Sequence, residues 1–381
     1  MSAAAPVAPV RRPVAARPSV SVRRLALLGL AGAALVTGLL GALALLGVIA
    51  LPGTRLAGSH GLLMTLGFLG TLIALERAVA LGQPWGYVAP LASGLAGVGL
   101  VVGAPGIVVS GLFLVASVVF LAMYVTFLGV DAELHTWVMT AGALGWTLAA
   151  VLLVTGRPVS DAVPALAALL ILTIAGERLE LSRIRRPSRR AQVVFVGAAA
   201  VFAGGVLVAV AAPDLGLRIG GAGMLAMAAW LARHDLARRT VHARGVTRFI
   251  AVCLLAGYAW LAIGGLTWLA WGATPPLLAR DAMIHALFLG FVISMVFGHA
   301  PVILPAVLRV PLPYRPWFYG HVALLHAGLV VRVLVGDVLG FTAAWQLGGV
   351  LTVAAMALFV VASASTVLAS LLAGRRRVAP A

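Results

Sequence analysis

Two histidines, His60 and His285, stand at the beginning of long apolar stretches of this chain. A heme held by two histidines needs only that two neutral imidazoles face each other across the macrocycle, and the protein then tunes the iron through burial and hydrogen bonds. Gly61, Gly67 and Gly290 lie in the same stretches, and their lack of a side chain would let a flat macrocycle approach the backbone. The alternative is that both histidines only occupy polar helix ends.

A second set of ionisable residues lies near the end of three apolar stretches. These stretches read GFLGTLIALER, ALLILTIAGER and GFVISMVFGHA over residues 67–77, 168–178 and 290–300. Superposed without gaps, they align Glu76, Glu177 and His299. Carboxylate and imidazole groups together could bind a metal such as copper or iron, or carry protons. Alternatively, each glutamate only offsets the arginine that follows it, Arg77 or Arg178, at a membrane surface.

Three further residues extend these two sets. Arg332 is expected at the depth of His60 and His285, where it could pair with Asp337 or with a heme propionate. His135 and His326 are expected at the depth of the second set. The predicted proton or ion cluster therefore consists of Glu76, Arg77, Glu177, Arg178, His299, His135 and His326.

The residues after His299 predict an irregularity in its helix. Pro301 follows closely and Pro305 comes a turn later. Proline lacks the backbone N–H and clashes with the preceding turn, so the helix should kink or end there and free carbonyl groups beside His299.

The composition fixes the elements that must position these residues. Of the 381 residues, 62% are hydrophobic and 10% are charged, whereas soluble domains carry about 25% charged residues. The apolar runs have the length of membrane-spanning helices rather than of barrel strands. We predict an all-α polytopic bundle of about 12 transmembrane helices. The expected spans are 25–51, 60–81, 87–102, 107–128, 135–154, 162–181, 191–212, 217–232, 247–271, 281–304, 317–335 and 341–372.

The arginines predict the orientation of the bundle. With 12 spans, 22 of the 27 arginines fall on one side, and this excess marks the cytoplasmic side. The predicted regions are a flexible cytoplasmic tail over 1–24, the bundle over 25–372 and a cytoplasmic tail over 373–381. This placement also accounts for the net charge of +17 without a nucleic-acid partner. The lipid bilayer is the expected partner, in the inner membrane of a bacterium.

The spacing of the similar stretches, four spans apart, predicts three pseudo-repeats of four helices. Twelve spans in three arcs of four, with histidines on spans two and ten, resemble the catalytic subunit of heme-copper oxidases. The segment HALFLGFVISMVFGHAPVILPAVL resembles the His- and Met-bearing helix of the NnrS family of heme- and copper-containing membrane proteins. The oxidase copper site needs histidines on spans six and seven, where this chain has none. A binuclear centre that reduces oxygen or nitric oxide is therefore not expected, whereas a single heme is compatible with the resemblance.

Three functions follow as hypotheses. The first is a heme- or metal-binding protein related to respiratory or nitric-oxide-linked membrane proteins, with electron-transfer proteins as partners. The second is a proton-coupled secondary transporter, in which the Glu/His cluster couples protons to substrate movement. The third is a membrane assembly protein without chemistry of its own. The sequence does not decide whether the protein is an enzyme.

Overall fold

The computed structural model describes residues 21–183, 187–276, 279–309 and 312–376, with side chains as far as residue 370. In these ranges 12 helices are long and apolar enough to cross a membrane, which confirms the predicted helical membrane bundle. They are α1 Val22–Leu45, α2 Arg55–Leu81, α3 Pro84–Val102, α4 Gly106–Val130, α5 Leu134–Val154, α6 Val159–Ser182, α7 Arg189–Ala209, α8 Pro213–His234, α9 Gly245–Trp271, α10 Ala279–Leu308, α11 Pro316–Val338 and α12 Thr342–Arg376.

Some of the predicted features lie outside the described residues. They are the tails over 1–20 and 377–381, together with the arginines at 11, 12, 17, 185, 186 and 377 that entered the orientation argument. Within the description, α1 begins at Val22 and α12 continues to Arg376, so these helices include residues assigned to the tails.

Consecutive helices pack side by side from α1 to α12, and α12 returns to contact α1, so the helices form a closed arrangement. Three helices meet inside it. α10 contacts both α2 and α6, and an ion pair between Arg77 and Glu177 joins α2 to α6. The most apolar stretches of α6 and α2 are 72% and 67% buried, the highest values among the 12. The three pseudo-repeats of four helices stay a prediction, because the corresponding stretch of α10 is 56% buried, no more than those of α5 and α9.

Small residues bring several helices into close contact. Gly205 of α7 lies against Gly220 of α8. The next residue of α8, Gly221, lies against Gly265 of α9. Close backbone approach favours association of membrane helices, where lipid tails offer no hydrophobic driving force between them. These glycines therefore hold α7, α8 and α9 together.

Three helices contain π-helical segments, which in proteins occur often at functional sites. The segments are Leu63–Gly70 in α2, Ala286–Ile293 in α10 and Val330–Val338 in α11. The first two coincide when the similar sequences of α2 and α10 are superposed. His60, His285 and Arg332 each lie beside or inside one of these segments, so the irregular helices are those that carry the first predicted site.

α10 does not end where its prolines predicted. The α-helical part Ser294–Leu308 contains both Pro301 and Pro305 and terminates at Arg309, whose φ of 57° is left-handed. Arg309 donates its backbone N–H to the carbonyl of Pro305 at 2.8 Å, which closes the last turn.

Candidate functional site

His60 and His285 line one cavity at the end of the bundle where α2, α6 and α10 begin, here called the His60 end. The cavity has a volume of about 550 Å³, within the range of small-molecule and cofactor sites. Arg332 also lines it, so the structure brings together all three residues of the first predicted set. Apolar side chains form most of the remaining wall, including Met64 and Phe288.

A backbone carbonyl fixes the ring of His60. Its Nδ1 atom lies 2.8 Å from the carbonyl oxygen of Gly38 on α1. A carbonyl can only accept, so Nδ1 carries the proton and Nε2 keeps its lone pair. No hydrogen bond reaches Nε2 of His60 from the residues that the structure describes.

Two acceptor atoms of Asp281 hold the ring of the second histidine. Nδ1 of His285 lies 3.0 Å from Oδ1 of Asp281 and 3.0 Å from the backbone carbonyl of the same residue, one helical turn earlier. Both partners accept, so Nδ1 carries a proton, and in the neutral ring the lone pair lies on Nε2. Nε2 of His285 likewise has no hydrogen-bond partner among the described residues. Asp281 and His285 both interact electrostatically with His60.

Arg332 pairs with Asp281, and not with the predicted partner Asp337. Its Nε donates to Oδ2 of Asp281 at 2.7 Å and its Nη2 donates to Oδ1 at 2.8 Å. This bidentate geometry is the strongest form of arginine–carboxylate contact. Both carboxylate oxygens of Asp337 are buried and have no hydrogen-bond partner in the part of the chain that the structure describes, although this residue lies close enough to interact with Asp281.

One of the three glycines predicted to flank a macrocycle faces the cavity. A side chain at Gly61 would meet open space, and this residue lines the cavity. Gly67 instead packs against Ala34 and Gly97, and Gly290 packs against the ring of Trp260. The prediction fails at Gly67 and Gly290 because their missing side chains make room for neighbouring helices.

The opposite end of the bundle, here called the Arg77 end, carries the second predicted set. The Arg77 guanidinium lies 3.2 Å from Oε1 of Glu76 and forms an ion pair with Glu177. The guanidinium therefore bridges the two carboxylates. Across the described residues, His, Cys, Asp and Glu side chains form no group of three or more suited to a metal ion. The metal site predicted from Glu76, Glu177 and His299 stays a prediction without geometric support.

Three residues that the sequence did not single out complete the Arg77 end. Asp235, at the end of α8, and Tyr258 on α9 are buried, and the Tyr258 hydroxyl lies beside Asp235 and Arg178. His299 interacts electrostatically with Arg178, with Glu177 and with Asp235. Tyr124 on α4 interacts in the same way with Arg77. Buried tyrosines and one aspartate thus extend the predicted cluster.

The other predicted members lie in different surroundings. The Nε2 atom of His135 lies 3.7 Å from Oδ2 of Asp131 and 4.0 Å from Oε2 of Glu180. The Nδ1 atom of His326 accepts a hydrogen bond from Nε1 of Trp260 at 3.0 Å. The cluster at the Arg77 end is therefore centred on α2, α6, α9 and α10, with His135 at its edge and His326 bonded elsewhere.

The fold and its cavity define a polytopic membrane protein, with 12 long apolar helices among the described residues and a mostly apolar cavity that His60, His285 and Arg332 line. The family model described as "Domain of unknown function (DUF8744)" matches residues 24–368, and the chain belongs to that family. A search of curated proteins gave no match.

Proposed function

We propose that the protein holds a heme in the cavity at the His60 end, where His60 and His285 would be its two protein ligands. One observation carries this proposal: both Nδ1 atoms are bound to acceptors, at 2.8 and 3.0 Å, so that in the neutral rings both Nε2 atoms can bind a metal. Histidines that bind metals almost always donate the other ring N–H to a carbonyl or a carboxylate. Two ligands suffice for a heme.

The cavity also suits the macrocycle and the propionate groups of a heme. Its apolar wall would exclude water from the macrocycle, and Gly61 leaves space beside one ligand. Arg332 is already neutralised by Asp281. Arg280 lines the same cavity and forms no ion pair with the described carboxylates, which makes it the better partner for a propionate. Bound heme supplies one-electron transfer, and the chain's own residues hold and orient the two ligands.

The proposed setting follows from this chemistry and from the arginine distribution. The protein is a redox or respiratory accessory in the cytoplasmic membrane of a bacterium, with both termini in the cytoplasm. Its cavity then opens from the outer side, and electron-transfer proteins are its partners. Handling of nitric oxide or another small gas belongs to the same proposal through the resemblance of α10 to the NnrS family.

Absorption spectra of purified variants test the ligands. We expect the protein, expressed with ample heme supply, to show the sharp α and β bands of a six-coordinate low-spin heme. His60→Ala and His285→Ala should each lose these bands, because one axial position opens. His242→Ala is the matched control, since His242 is exposed in the segment between α8 and α9. Low-spin bands that persist in both ligand variants would refute the assignment.

A second candidate is proton-coupled transport, which the polar cluster at the Arg77 end favours. Glu76, Arg77 and Glu177 lie mostly buried in a bundle whose helices are otherwise apolar. Ionisable groups at such positions are costly and commonly mark proton or ion paths. Under this proposal, protons enter through Glu177 and pass towards His299.

Proteoliposomes with an internal pH-sensitive dye test the second candidate. We expect an imposed membrane potential to drive proton uptake in the wild type and in Glu133→Gln, an exposed control residue that pairs with Arg183. Glu177→Gln should lose most of this uptake. Equal uptake in the wild type and Glu177→Gln would exclude the proposed role.

A further inference from the structure

The two histidines of the cavity differ in the acceptor that holds them. Nδ1 of His60 meets a neutral carbonyl, whereas Nδ1 of His285 lies 3.0 Å from a carboxylate oxygen as well as from a carbonyl. A carboxylate draws the Nδ1 proton towards itself and so increases the basicity of the ring as a ligand. His285 should therefore be the stronger electron donor of the two.

Asp281 is itself held in place. Arg332 binds both of its carboxylate oxygens, and only 8% of the Arg332 side chain is exposed. Rotation of Asp281 away from this fork would leave a charged guanidinium unpaired inside the bundle, which is strongly unfavourable. The same carboxylate thus meets the guanidinium through both oxygens and the imidazole of His285 through Oδ1.

We propose that Asp281 and Arg332 are positioning residues that fix the tautomer and orientation of His285 and make it the more basic axial ligand. The proposal rests on the proposed function, because it concerns a ligand of the same heme. A more basic ligand stabilises the oxidised iron, so the carboxylate lowers the reduction potential. In the sequence, Asp281 is only the first residue of the predicted tenth span.

A redox titration of the heme-loaded protein tests this role. Asp281→Asn removes the charge and keeps the shape, so its midpoint potential should rise by at least about 59 mV, a tenfold change for one electron. Asp281→Asn combined with Arg332→Gln should show the same rise without leaving Arg332 unpaired. Asp281→Glu should stay near the wild type. Asp161→Asn is the matched control, because Asp161 lines the same cavity but pairs with Arg157.

The outcomes separate the two proposals. A wild type without heme refutes the proposed function, which the absorption spectrum shows before any titration. A heme-loaded Asp281→Asn protein with the wild-type potential overturns the positioning role alone. A folded Asp281→Asn protein that binds no heme supports the role if Asp281→Glu retains heme, and overturns it if Asp281→Glu loses heme equally.

Discussion

Arg77 and Glu177 lie 100 residues apart in the sequence and form an ion pair at the Arg77 end of the bundle. Because Arg77 belongs to α2 and Glu177 to α6, this contact joins two of the three inner helices. Both side chains are mostly buried, at 15% and 22% exposure. The pair thus fixes the relative position of the helices that also reach towards the His60 end.

Loss of Arg77 should destabilise the bundle. Arg77→Ala leaves Glu76 and Glu177 without their shared cation, and breaking a buried pair in this way costs about 3 kcal/mol. Thermal unfolding in detergent should show a clear decrease in the melting temperature. Arg183→Ala is the control at the same end, because Arg183 and its partner Glu133 are about half exposed, and such pairs contribute only about 0–1 kcal/mol. Equal effects in the two variants would contradict the inner role of Arg77.

Substitution of two neighbouring glycines in α7 by a larger residue should affect the stability of the protein at one position and not at the other. A Cβ atom at Gly205 would lie 2.7 Å from the Cα of Gly220 on α8, whereas a Cβ at Gly204 meets no atom within 4 Å. Gly205→Leu should therefore force α7 and α8 apart, at a cost of about 1–3 kcal/mol or more. Gly204→Leu should unfold near the wild-type temperature. Melting curves that do not separate the two variants would contradict the packing.

Much of this fold follows from the sequence, because apolar runs of membrane length leave few alternatives to helices. The direction of each span also placed His60, His285 and Arg332 at one end. Asp281 was missed even though its spacing of four residues from His285 puts both on one helical face. Asp235 and Tyr258 carry no comparable signal, since only the packing of the helices brings them to Arg178. A glycine in the sequence can mark either the wall of a cavity or a close contact between helices. The sequence does not distinguish these cases, which is why the prediction for Gly67 and Gly290 was wrong.

Filling the cavity should block heme uptake. Gly61 lines the cavity and a side chain there meets open space, so Gly61→Phe would project a ring into the chamber without disturbing the helix contacts. Heme content per protein should fall several-fold. Gly58→Phe is the matched control, because Gly58 lies one turn earlier, is exposed and does not line the cavity. Full heme content in Gly61→Phe would show that the cavity is not the binding place.

Cysteine labelling should determine the orientation of the bundle. Cys253 is fully buried and should not react with a membrane-impermeant thiol reagent. In intact cells we expect Ser160→Cys, at the His60 end, to be labelled from outside. His242→Cys, at the Arg77 end, should react only after permeabilisation. The reverse pattern would contradict the orientation that the arginines predict.

The heme-to-protein ratio and the reduced-minus-oxidised spectrum of the purified wild type decide whether the cavity holds heme. We expect one heme per chain, with the narrow α band of a low-spin heme ligated by two histidines. Protein that is folded and monodisperse after expression with ample heme, yet shows neither a Soret band nor bound iron, would contradict this expectation.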